Sequence, residues 1–254
     1  MEVRAKKHLG QHFLKDEGIA QKIAGSLTGR TCHLLEIGSG MGVLTKYLYD
    51  VPGLDFRAVE IDSESVEYLH RHYPSLHVIE GDFLRLDLGG LFQEPFAVIG
   101  NFPYNISSQI LFKVYENRDV IPEVVGMFQK EVAERVAARP GSKTYGILSV
   151  LLSAFYDIEY LFTVHEHVFC PPPKVKSAVI RLVRNKVETL GCDEDFFAKV
   201  VKVAFNQRRK TLRNALRQLG ANMESVPPEL LAMRAEQLSV EEFVAVTNAI
   251  KGGI

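Results

Sequence analysis

Cysteine is scarce in this chain of 254 residues, and its three cysteines, Cys32, Cys170 and Cys192, lie far apart. An odd number excludes a complete disulfide framework, and the spacings do not match those of a zinc site. We therefore predict reduced, structural cysteines, no bound metal and a cytoplasmic location.

Long apolar runs are also missing. The uncharged stretch 144–156 is too short to span a bilayer and contains serines. Residues 1–15 are basic and have no apolar segment of the kind that a signal peptide needs. With 46% hydrophobic and 24% charged residues, the composition is that of an ordinary globular protein. We expect no membrane partner. We also expect a monomer.

Negative charge is absent from two segments that are rich in bases. Residues 171–186 and 206–217 each contain five lysines or arginines and no acid, whereas residues 55–94 hold nine acids and three bases. The formal net charge of the chain is only −1, so these clusters are local. Such clusters indicate contact with a nucleic-acid backbone, although a solvated surface would give the same composition.

A predicted strand, a glycine-rich turn and a predicted helix come early in the chain. Residues 32–37 have the pattern of a strand, Gly38-Ser-Gly-Met-Gly42 follows, and residues 44, 47 and 48 have the apolar spacing of a helix. This order is typical of nucleotide-binding α/β proteins, in which glycine lets the backbone approach a ligand closely. Alone, such a turn can also serve only to reverse the chain.

Polar residues end the next three predicted strands as well. Glu60 lies at the end of a strand at 56–61, Asp82 follows a strand at 76–79, and Asn101 follows the apolar run 95–99. Ligands of open parallel sheets bind at the carboxyl ends of strands. Each residue could be a turn or cap residue, but the four strand ends together predict one site, with Glu60 on ribose hydroxyls and Asp82 on an adenine amine.

The glycine spacing argues against a dinucleotide. The turn is Gly-x-Gly-x-Gly, whereas a pyrophosphate site has Gly-x-Gly-x-x-Gly. Glu36, just before the first glycine, would also repel phosphate. A cationic nucleoside without phosphate fits better, and we predict S-adenosylmethionine. A nicotinamide oxidoreductase is the alternative that this spacing disfavours.

The segment Asn101-Phe-Pro-Tyr104 predicts the group that is alkylated. The lone pair of an exocyclic amine on a base is delocalised into the ring, and an amide oxygen with a backbone carbonyl could localise it by accepting both N–H bonds. Proline has no N–H, so carbonyls around Asn101 and Pro103 could stay unpaired, and Tyr104 could stack on the base. The alternative is an ordinary turn.

The rest of the chain predicts a mixed sheet and a helical end. A fifth strand is expected at 124–128, helices at 130–139 and 145–155, and an antiparallel strand pair at 158–164 and 177–183. Phe169 precedes the Pro-rich loop between that pair, and it is either presented there or buried as a core ring. Beyond about residue 193 the pattern is entirely helical.

Eight motifs together resemble one protein family. In chain order they are His-Leu-Gly-Gln-His-Phe-Leu, Glu-Ile-Gly-Ser-Gly, Val-Glu-Ile-Asp, Gly-Asp-Phe, Gly-Asn-Phe-Pro-Tyr-Asn-Ile-Ser, Gln-Lys-Glu-Val-Ala-Glu-Arg, Phe-Cys-Pro-Pro-Pro-Lys-Val and Ala-Phe-Asn-Gln-Arg-Arg-Lys-Thr-Leu-Arg-Asn. From about residue 4 onward, the chain resembles the KsgA family of bacterial small-subunit ribosomal RNA adenine dimethyltransferases.

The resemblance implies an α/β fold with two domains. Residues 1–188 would form a Rossmann-like class I S-adenosylmethionine-dependent methyltransferase domain with a mostly parallel seven-stranded sheet. Residues 189–254 would form a small all-helical domain that binds RNA and the ribosome.

The resemblance also implies the site residues. Cofactor contacts would come from His12, Leu14, Gly38, Glu60, Asp82 and Asn101. The target amine would be held by Asn101, Pro103 and Tyr104, with Phe169 stacked on the opposite face of the flipped base. Three positions depart from the family pattern, because His12 replaces the usual Asn, Ser39 a common Pro and Phe102 a common Leu.

The implied reaction is methyl transfer from S-adenosylmethionine to N6 of two adjacent adenosines near the 3′ end of small-subunit ribosomal RNA, late in subunit assembly. We expect direct in-line displacement on a flipped-out base, with water taking the proton and positioning doing most of the catalysis. Two alternatives remain: the related large-subunit dimethyltransferases that confer macrolide resistance, and an assembly factor with an idle site.

Overall fold

The computed structural model describes residues 3–220 and 223–252. Nine β-strands occur among these residues. They are β1 (Phe13–Leu14), β2 (His33–Ile37), β3 (Asp55–Glu60), β4 (His77–Glu80), β5 (Ala97–Asn101), β6 (Glu123–Gln129), β7 (Tyr156–Val164), β8 (Phe169–Cys170) and β9 (Ser177–Arg184).

The described residues also form nine α-helices and several 3-10 turns. The α-helices are α1 (Glu17–Ala24), α2 (Ser63–His72), α3 (Ser107–Glu116), α4 (Lys130–Val136), α5 (Ile147–Ser153), α6 (Glu194–Asn206), α7 (Leu212–Leu216), α8 (Pro228–Ala232) and α9 (Val240–Gly252). The 3-10 turns are Lys7–Leu9, Thr45–Tyr47, Phe83–Arg85, Tyr104–Ile106, Glu166–Val168, Arg217–Leu219 and Ala235–Gln237.

Seven strands form one mixed sheet in the order β4-β3-β2-β5-β6-β9-β7. The first five are parallel to their neighbours, and β9 is antiparallel to β6. The mostly parallel seven-stranded sheet is therefore confirmed, as is the adjacency of β7 and β9. A separate two-stranded sheet pairs β1 with β8 in antiparallel fashion.

The central strands are apolar because both of their faces are covered. Residues 97–99 of β5 and 124–128 of β6 are all buried, as expected for parallel strands between two layers. One core cluster joins these strands to side chains of α1 and α2. With the strands parallel, the residues that follow β2, β3, β4 and β5 meet at one edge of the sheet, and this edge carries the candidate site.

The helix predicted after Gly42 is not present. Residues 45–47 form only a short 3-10 turn, although Leu44 and Leu48 are buried as the pattern required. Gly40 and Gly42 have φ of 54° and 78°, values outside the α-helical region. A glycine-rich turn that continues to residue 42 and a further turn at 50–53 therefore leave no room for a full helix.

By contacts the chain divides into two compact units. The first consists of Met1–Ala133 and Ile158–Arg184, and the second of Glu134–Asp157 and Asn185–Ile254. The predicted boundary at 188 differs from this division for residues 134–157. These residues include α5, which packs against α6 and α9, so helix packing rather than chain order decides their place.

The second unit is helical apart from the start of β7. Its core contains the apolar face of α6, formed by Phe197, Val200, Val201 and Ala204. Capping fixes its last helix, since Ser239 N–H donates to Glu242 Oε2 at 2.8 Å and Glu242 N–H donates to Ser239 Oγ at 3.2 Å. The helix before it, α8, starts at Pro228. Within residues 3–220 and 223–252, no helix is both long and apolar enough to cross a membrane.

Candidate active site

A cavity of about 260 Å³ lies at the carboxyl ends of the parallel strands. Most of the predicted site residues line it, namely His12, Gly38, Glu60, Asp82, Asn101, Pro103 and Tyr104. Apolar walls come from Ile37, Val59, Phe83 and Leu84. The structure thus brings together residues as distant in the chain as His12 and Asn101, which are 89 positions apart.

Glycine is required where the turn after β2 meets Phe13. Gly40 has φ of 54°, and a Cβ there would lie 2.8 Å from Cε1 of Phe13. The Gly40 N–H donates to Oε2 of Glu60 at 2.8 Å. The turn is therefore fixed to β3 by a hydrogen bond and leaves its backbone open to the cavity.

The Glu60 carboxylate is buried and already well bonded. It is 3% exposed, and its Oε1 accepts the N–H groups of Ile61 and Asp62, each at 2.9 Å. Burial raises the pKa of Glu60 above its usual range, although these backbone bonds oppose the shift. A carboxylate has about four acceptor positions, and three are occupied, so Glu60 can accept about one further strong hydrogen bond from a ligand.

Glu36 lies beside this site; the sequence suggested only that it repels phosphate and did not place it among the site residues. It is 1% exposed, its Oε2 accepts the Thr45 hydroxyl at 2.6 Å, and it lines a smaller cavity of about 40 Å³ together with Gly38 and Asn101. Burial raises its pKa to about 7, and the nearby Glu60 adds to the shift. An acid in the middle of an apolar strand was the signal that could have identified it.

Asp82 lies on the opposite side of the cavity. Its Oδ1 accepts the Leu84 N–H at 2.9 Å, which makes it the cap of the 3-10 turn that follows. Its side chain is 31% exposed, so acceptor capacity remains toward the cavity. Phe83 lines the cavity beside it. An acid next to an apolar ring can contact both the amine and the face of an adenine.

The Asn101 amide is oriented by the backbone of His12. Its Nδ2 donates to the His12 carbonyl at 2.9 Å. Since a carbonyl can only accept, the nitrogen must face His12 and the oxygen must face the other way. Within the described part of the chain, Oδ1 of Asn101 has no hydrogen-bond donor. The cavity therefore contains one oriented, unused amide oxygen.

Among the described residues that directly follow Asn101, the carbonyl without a donor belongs to Phe102 and not to Pro103. The Pro103 carbonyl accepts the Ile106 N–H at 3.3 Å and the Ser107 hydroxyl at 3.0 Å, so the prediction that it stays unpaired is wrong. These bonds form because a turn and α3 begin directly after Pro103. The Phe102 carbonyl has no donor among residues 3–220 and 223–252, and Phe102 lines the cavity.

Tyr104 separates this cavity from a second one. Its hydroxyl is hydrogen-bonded to the hydroxyl of the buried Ser177, and its ring centroid lies 5.2 Å from that of His12. Burial raises the pKa of Tyr104, against a smaller opposing effect of Ser177. The second cavity, of about 480 Å³, is also lined by Lys7, Gln129 and the Pro-rich residues 171–175. Among the residues that the structure describes, its lining contains no acid.

Leu14 and Phe169 lie in the core and not in either of these cavities. They are paired across β1 and β8 and are 4% and 1% exposed. The ring of Phe169 therefore has no face open to a base in this structure, which corrects the predicted stacking role. The short strand pair causes the burial, because it draws the start of the Pro-rich loop onto the N-terminal segment. Leu14 contacts only the small cavity beside Glu36.

Comparison with known proteins identifies the family. The sequence model of the family described as "Ribosomal RNA adenine dimethylase" matches residues 2–251. The chain belongs to this family. The site described above is therefore that of a ribosomal RNA adenine dimethylase.

Curated relatives are similar in sequence to this dimethylase along nearly its whole length. The "Ribosomal RNA small subunit methyltransferase A" of Cytophaga hutchinsonii is 61% identical over 254 residues and covers 98% of each chain. The protein of the same name from Bacteroides thetaiotaomicron is 58% identical, with 98% of this chain and 95% of that one covered.

Solved structures support the fold. A dimethyladenosine transferase from Plasmodium falciparum has a TM-score of 0.74 and 27% identity, with 92% of this chain and 96% of that one covered. The 23S rRNA methyltransferase ErmE has a TM-score of 0.71 and covers 94% and 99% of the two chains, and at 24% identity it shows the fold alone. The predicted class I methyltransferase fold is confirmed.

Proposed function

We propose that this chain uses S-adenosylmethionine to dimethylate N6 of two adjacent adenosines near the 3′ end of small-subunit ribosomal RNA, late in assembly of that subunit. The observation that carries the proposal is the Asn101 amide, whose nitrogen is held and whose oxygen is free in the cavity. The names of relatives at 58–61% identity support the small subunit as the target.

The residues around the first cavity suit a cationic nucleoside. Among the described residues, its lining includes two carboxylates and no lysine or arginine, so it offers nothing to balance a phosphate. Apolar walls can receive an adenine ring, while Glu60 and Asp82 can accept hydrogen bonds from ribose and base. When bound, S-adenosylmethionine supplies a methyl group on a positively charged sulfur.

Three residues that line this cavity, and Glu36 beside it, have a proposed role toward that cofactor. Glu60 accepts a ribose hydroxyl with its remaining acceptor position, and Asp82 accepts the adenine amine. Gly38, with φ of 70°, keeps the backbone close to the ligand. The Glu60 carboxylate makes the potential of this end of the sheet negative, which favours a sulfonium, and Glu36 adds to this potential when it is ionised.

Two oxygens are proposed to bind the target amine. Oδ1 of Asn101 and the Phe102 carbonyl come from adjacent residues, and each lacks a donor within the described residues. If each accepts one N–H of the adenine amine, the nitrogen lone pair is drawn out of conjugation and points at the methyl group. Pro103 keeps this turn rigid, which is its proposed contribution in place of a carbonyl.

The target base is proposed to stack on Tyr104. Because its hydroxyl is held by Ser177, the ring is a fixed surface, and stacking on one aromatic ring returns part of the cost of flipping the base. The second cavity provides the entry, since Lys7 and Lys174 line it and can attract phosphate. No protein base is needed, because the amine becomes acidic as it is alkylated.

The helical residues 189–254 are proposed to bind RNA. Arg209, Lys210, Arg213 and Arg217 are all exposed, and they lie just before, in and just after α7. We further propose that the protein acts as a monomer, in the cytoplasm, on the assembling small subunit.

Transfer of radiolabelled methyl groups tests the proposal. Purified small subunits that lack the modification are incubated with the protein and labelled S-adenosylmethionine, and the RNA is digested to nucleosides. We expect label in N6,N6-dimethyladenosine. Label only in large-subunit RNA would favour the macrolide-resistance type, and cofactor binding without label on any particle would favour an assembly factor.

A further inference from the structure

A segment at the start of the chain forms one wall of the first cavity. Residues 9–13 contribute to the lining, and residues 6–13 are here called the N-terminal wall. A 3-10 turn at Lys7–Leu9 ends at Gly10, whose φ is 66°. A Cβ at Gly10 would lie 2.5 Å from Oδ1 of Asn105, so the wall lies directly on the turn that follows Tyr104.

One end of the N-terminal wall is anchored on Asp62. The Lys6 ammonium is bonded to Oδ1 of Asp62, and Gln11 Nε2 donates to Oδ2 at 3.1 Å. Gln11 in turn accepts the Lys6 N–H at 2.8 Å. Asp62 itself is 2% exposed. Its two oxygens thus join two residues of the wall at a point that solvent hardly reaches.

Asp62 is also tied to the proposed ribose ligand. Its N–H donates to Oε1 of Glu60 at 2.9 Å, so the carboxylate that holds the wall and the carboxylate that faces the cavity lie on one turn. The other end of the wall is held separately: Phe13 pairs with Cys170, and the His12 carbonyl accepts from Asn101. The wall therefore has one anchor beside the cofactor residues and one beside the amine residues.

We propose that Asp62 is a positioning residue for the cofactor, which holds the N-terminal wall against the cavity through Lys6 and Gln11. This inference rests on the proposed function of the site. Release of the anchor on Asp62 would open the cofactor side of the cavity. The anchor beside Asn101 would remain and would keep that amide oriented. The affinity for the cofactor should therefore fall more than the rate of methyl transfer.

Binding of S-adenosylmethionine to the full chain, measured by titration calorimetry, tests the role of Asp62. The variants are Lys6→Met, Asp62→Asn and the two combined. Asparagine keeps the cap of α2 but replaces one acceptor oxygen with a donor, so Lys6 or Gln11 loses its bond. We expect each single change to raise Kd about fivefold, as for loss of one charge-assisted hydrogen bond. At saturating cofactor, kcat should stay within about twofold.

The combined variant and a matched control make the test specific. Lys6 and Asp62 share one contact, while Asp62 also holds Gln11 and the Lys6 ammonium lies 3.1 Å from Oε1 of Glu64. The loss of affinity in the double variant should therefore be smaller than the product of the two single losses. Asp55→Asn changes the same residue type at the other end of β3, where Asp55 pairs with Arg57, and should leave Kd unchanged. A Kd within about twofold of wild type in both single variants, or additive losses in the double variant, would overturn the proposal.

Proteolysis separates this proposal from the proposed function. Without cofactor, trypsin should cleave after Lys7 faster in Lys6→Met and Asp62→Asn than in the wild-type chain, because the wall is released. Equal cleavage rates would show that Asp62 does not hold it. Failure of the wild-type chain to bind S-adenosylmethionine would instead contradict the proposed function itself.

Discussion

The side-chain amide of Asn101 has one end occupied and one end free. The His12 carbonyl fixes Nδ2, so truncation to alanine removes the acceptor oxygen for the target amine and leaves the Glu60 and Asp82 sides of the cavity intact. We expect Asn101→Ala to lower kcat by about 10²- to 10³-fold, the usual effect of losing one oriented group that acts in the transition state. The Kd for S-adenosylmethionine should change by less than about threefold. Single-turnover kinetics with calorimetry measures both.

A matched asparagine tests whether the effect belongs to the site. Asn117 bonds to the Lys113 carbonyl at 2.8 Å at the end of α3 and does not line either cavity, so Asn117→Ala should leave kcat unchanged. Equal losses of kcat and cofactor affinity in Asn101→Ala would mean that Asn101 serves mainly the cofactor.

Glu36 makes stability depend on pH. Burial raises its pKa to about 7, above the 4.5 of an exposed glutamate. Between pH 4.5 and 7, the folded state therefore keeps a proton on Glu36 that the unfolded state has lost. The contribution of Glu36 to the free energy of unfolding falls as pH rises through this range. Glu36→Gln keeps an acceptor for Thr45 and cannot ionise, so the variant should escape this loss.

Chemical denaturation at pH 5 and pH 8 measures the Glu36 effect. The stability of Glu36→Gln relative to wild type should be greater at pH 8 than at pH 5 by an amount on the order of 2 kcal/mol. Comparing the two chains cancels groups with the opposite behaviour, such as Asp62, whose pKa is lowered because its bonds to Lys6, Gln11 and Ser65 outweigh the effect of burial. The same difference at both pH values would show that Glu36 ionises normally.

At the scale of single residues, the sequence did not indicate positions that depend on contacts with distant strands. Glu60, Asp82 and Asn101 could be placed because a strand end is a local feature and parallel strands bring such ends together. Phe169 could not, because its burial depends on β1, more than 150 residues earlier. Gln11 and Asp62 gave no local signal for the contact that joins them.

Two glycines in neighbouring strands make room for Phe102. Gly100 of β5 is paired with Gly126 of β6, and a Cβ at Gly126 would lie 2.2 Å from Cε2 of Phe102. Gly126→Ala must therefore displace this ring, which directly follows Asn101. We expect a loss of about 1–3 kcal/mol in the free energy of unfolding, as for other overpacked cores, and a fall in kcat of about tenfold or more from misplacement of the amide.

Two further variants test the cause of that loss. Gly90→Ala adds a methyl group where nothing lies within 4 Å, and it should have little effect on stability or kcat. Adding Phe102→Leu to Gly126→Ala should restore part of the stability, because leucine is shorter than the ring. If the double variant is no more stable than Gly126→Ala, the clash does not lie at Phe102.

Strands were predicted more accurately than helices in this chain. Within the run 95–99, residues 96–99 are buried, and composition alone indicates such a buried strand. The segment after Gly42 has helical spacing but forms a 3-10 turn, because left-handed glycines extend the preceding turn. Apolar spacing identified the buried side of this segment and not its backbone conformation.

At the scale of the whole molecule, the proposed catalytic site and the basic residues 206–217 that we propose bind RNA lie in different units of the chain. The cavities and their lining belong to the first unit, and the basic residues 206–217 belong to the second. Strand ends in the sequence predicted the residues that line the first cavity, and the RNA-binding role of the basic cluster stays a prediction. It did not predict that residues 134–157 belong with the helices, because that assignment depends on packing between α5, α6 and α9.

The basic surface of the second unit should control RNA affinity independently of the cofactor. Arg213 is exposed in α7, and a phosphate bound there would release counterions from the RNA. Arg213→Ala should reduce the slope of log K against log salt by about 0.7–0.9, the value for one neutralised phosphate, with no change in Kd for S-adenosylmethionine.

Lys251→Ala is the control, since its ammonium is paired with Asp193. Binding of unmodified small-subunit RNA over a range of salt concentrations gives both slopes. An unchanged slope for Arg213→Ala would exclude a phosphate interaction at α7 and favour residues 171–186 as the basic segment that binds RNA.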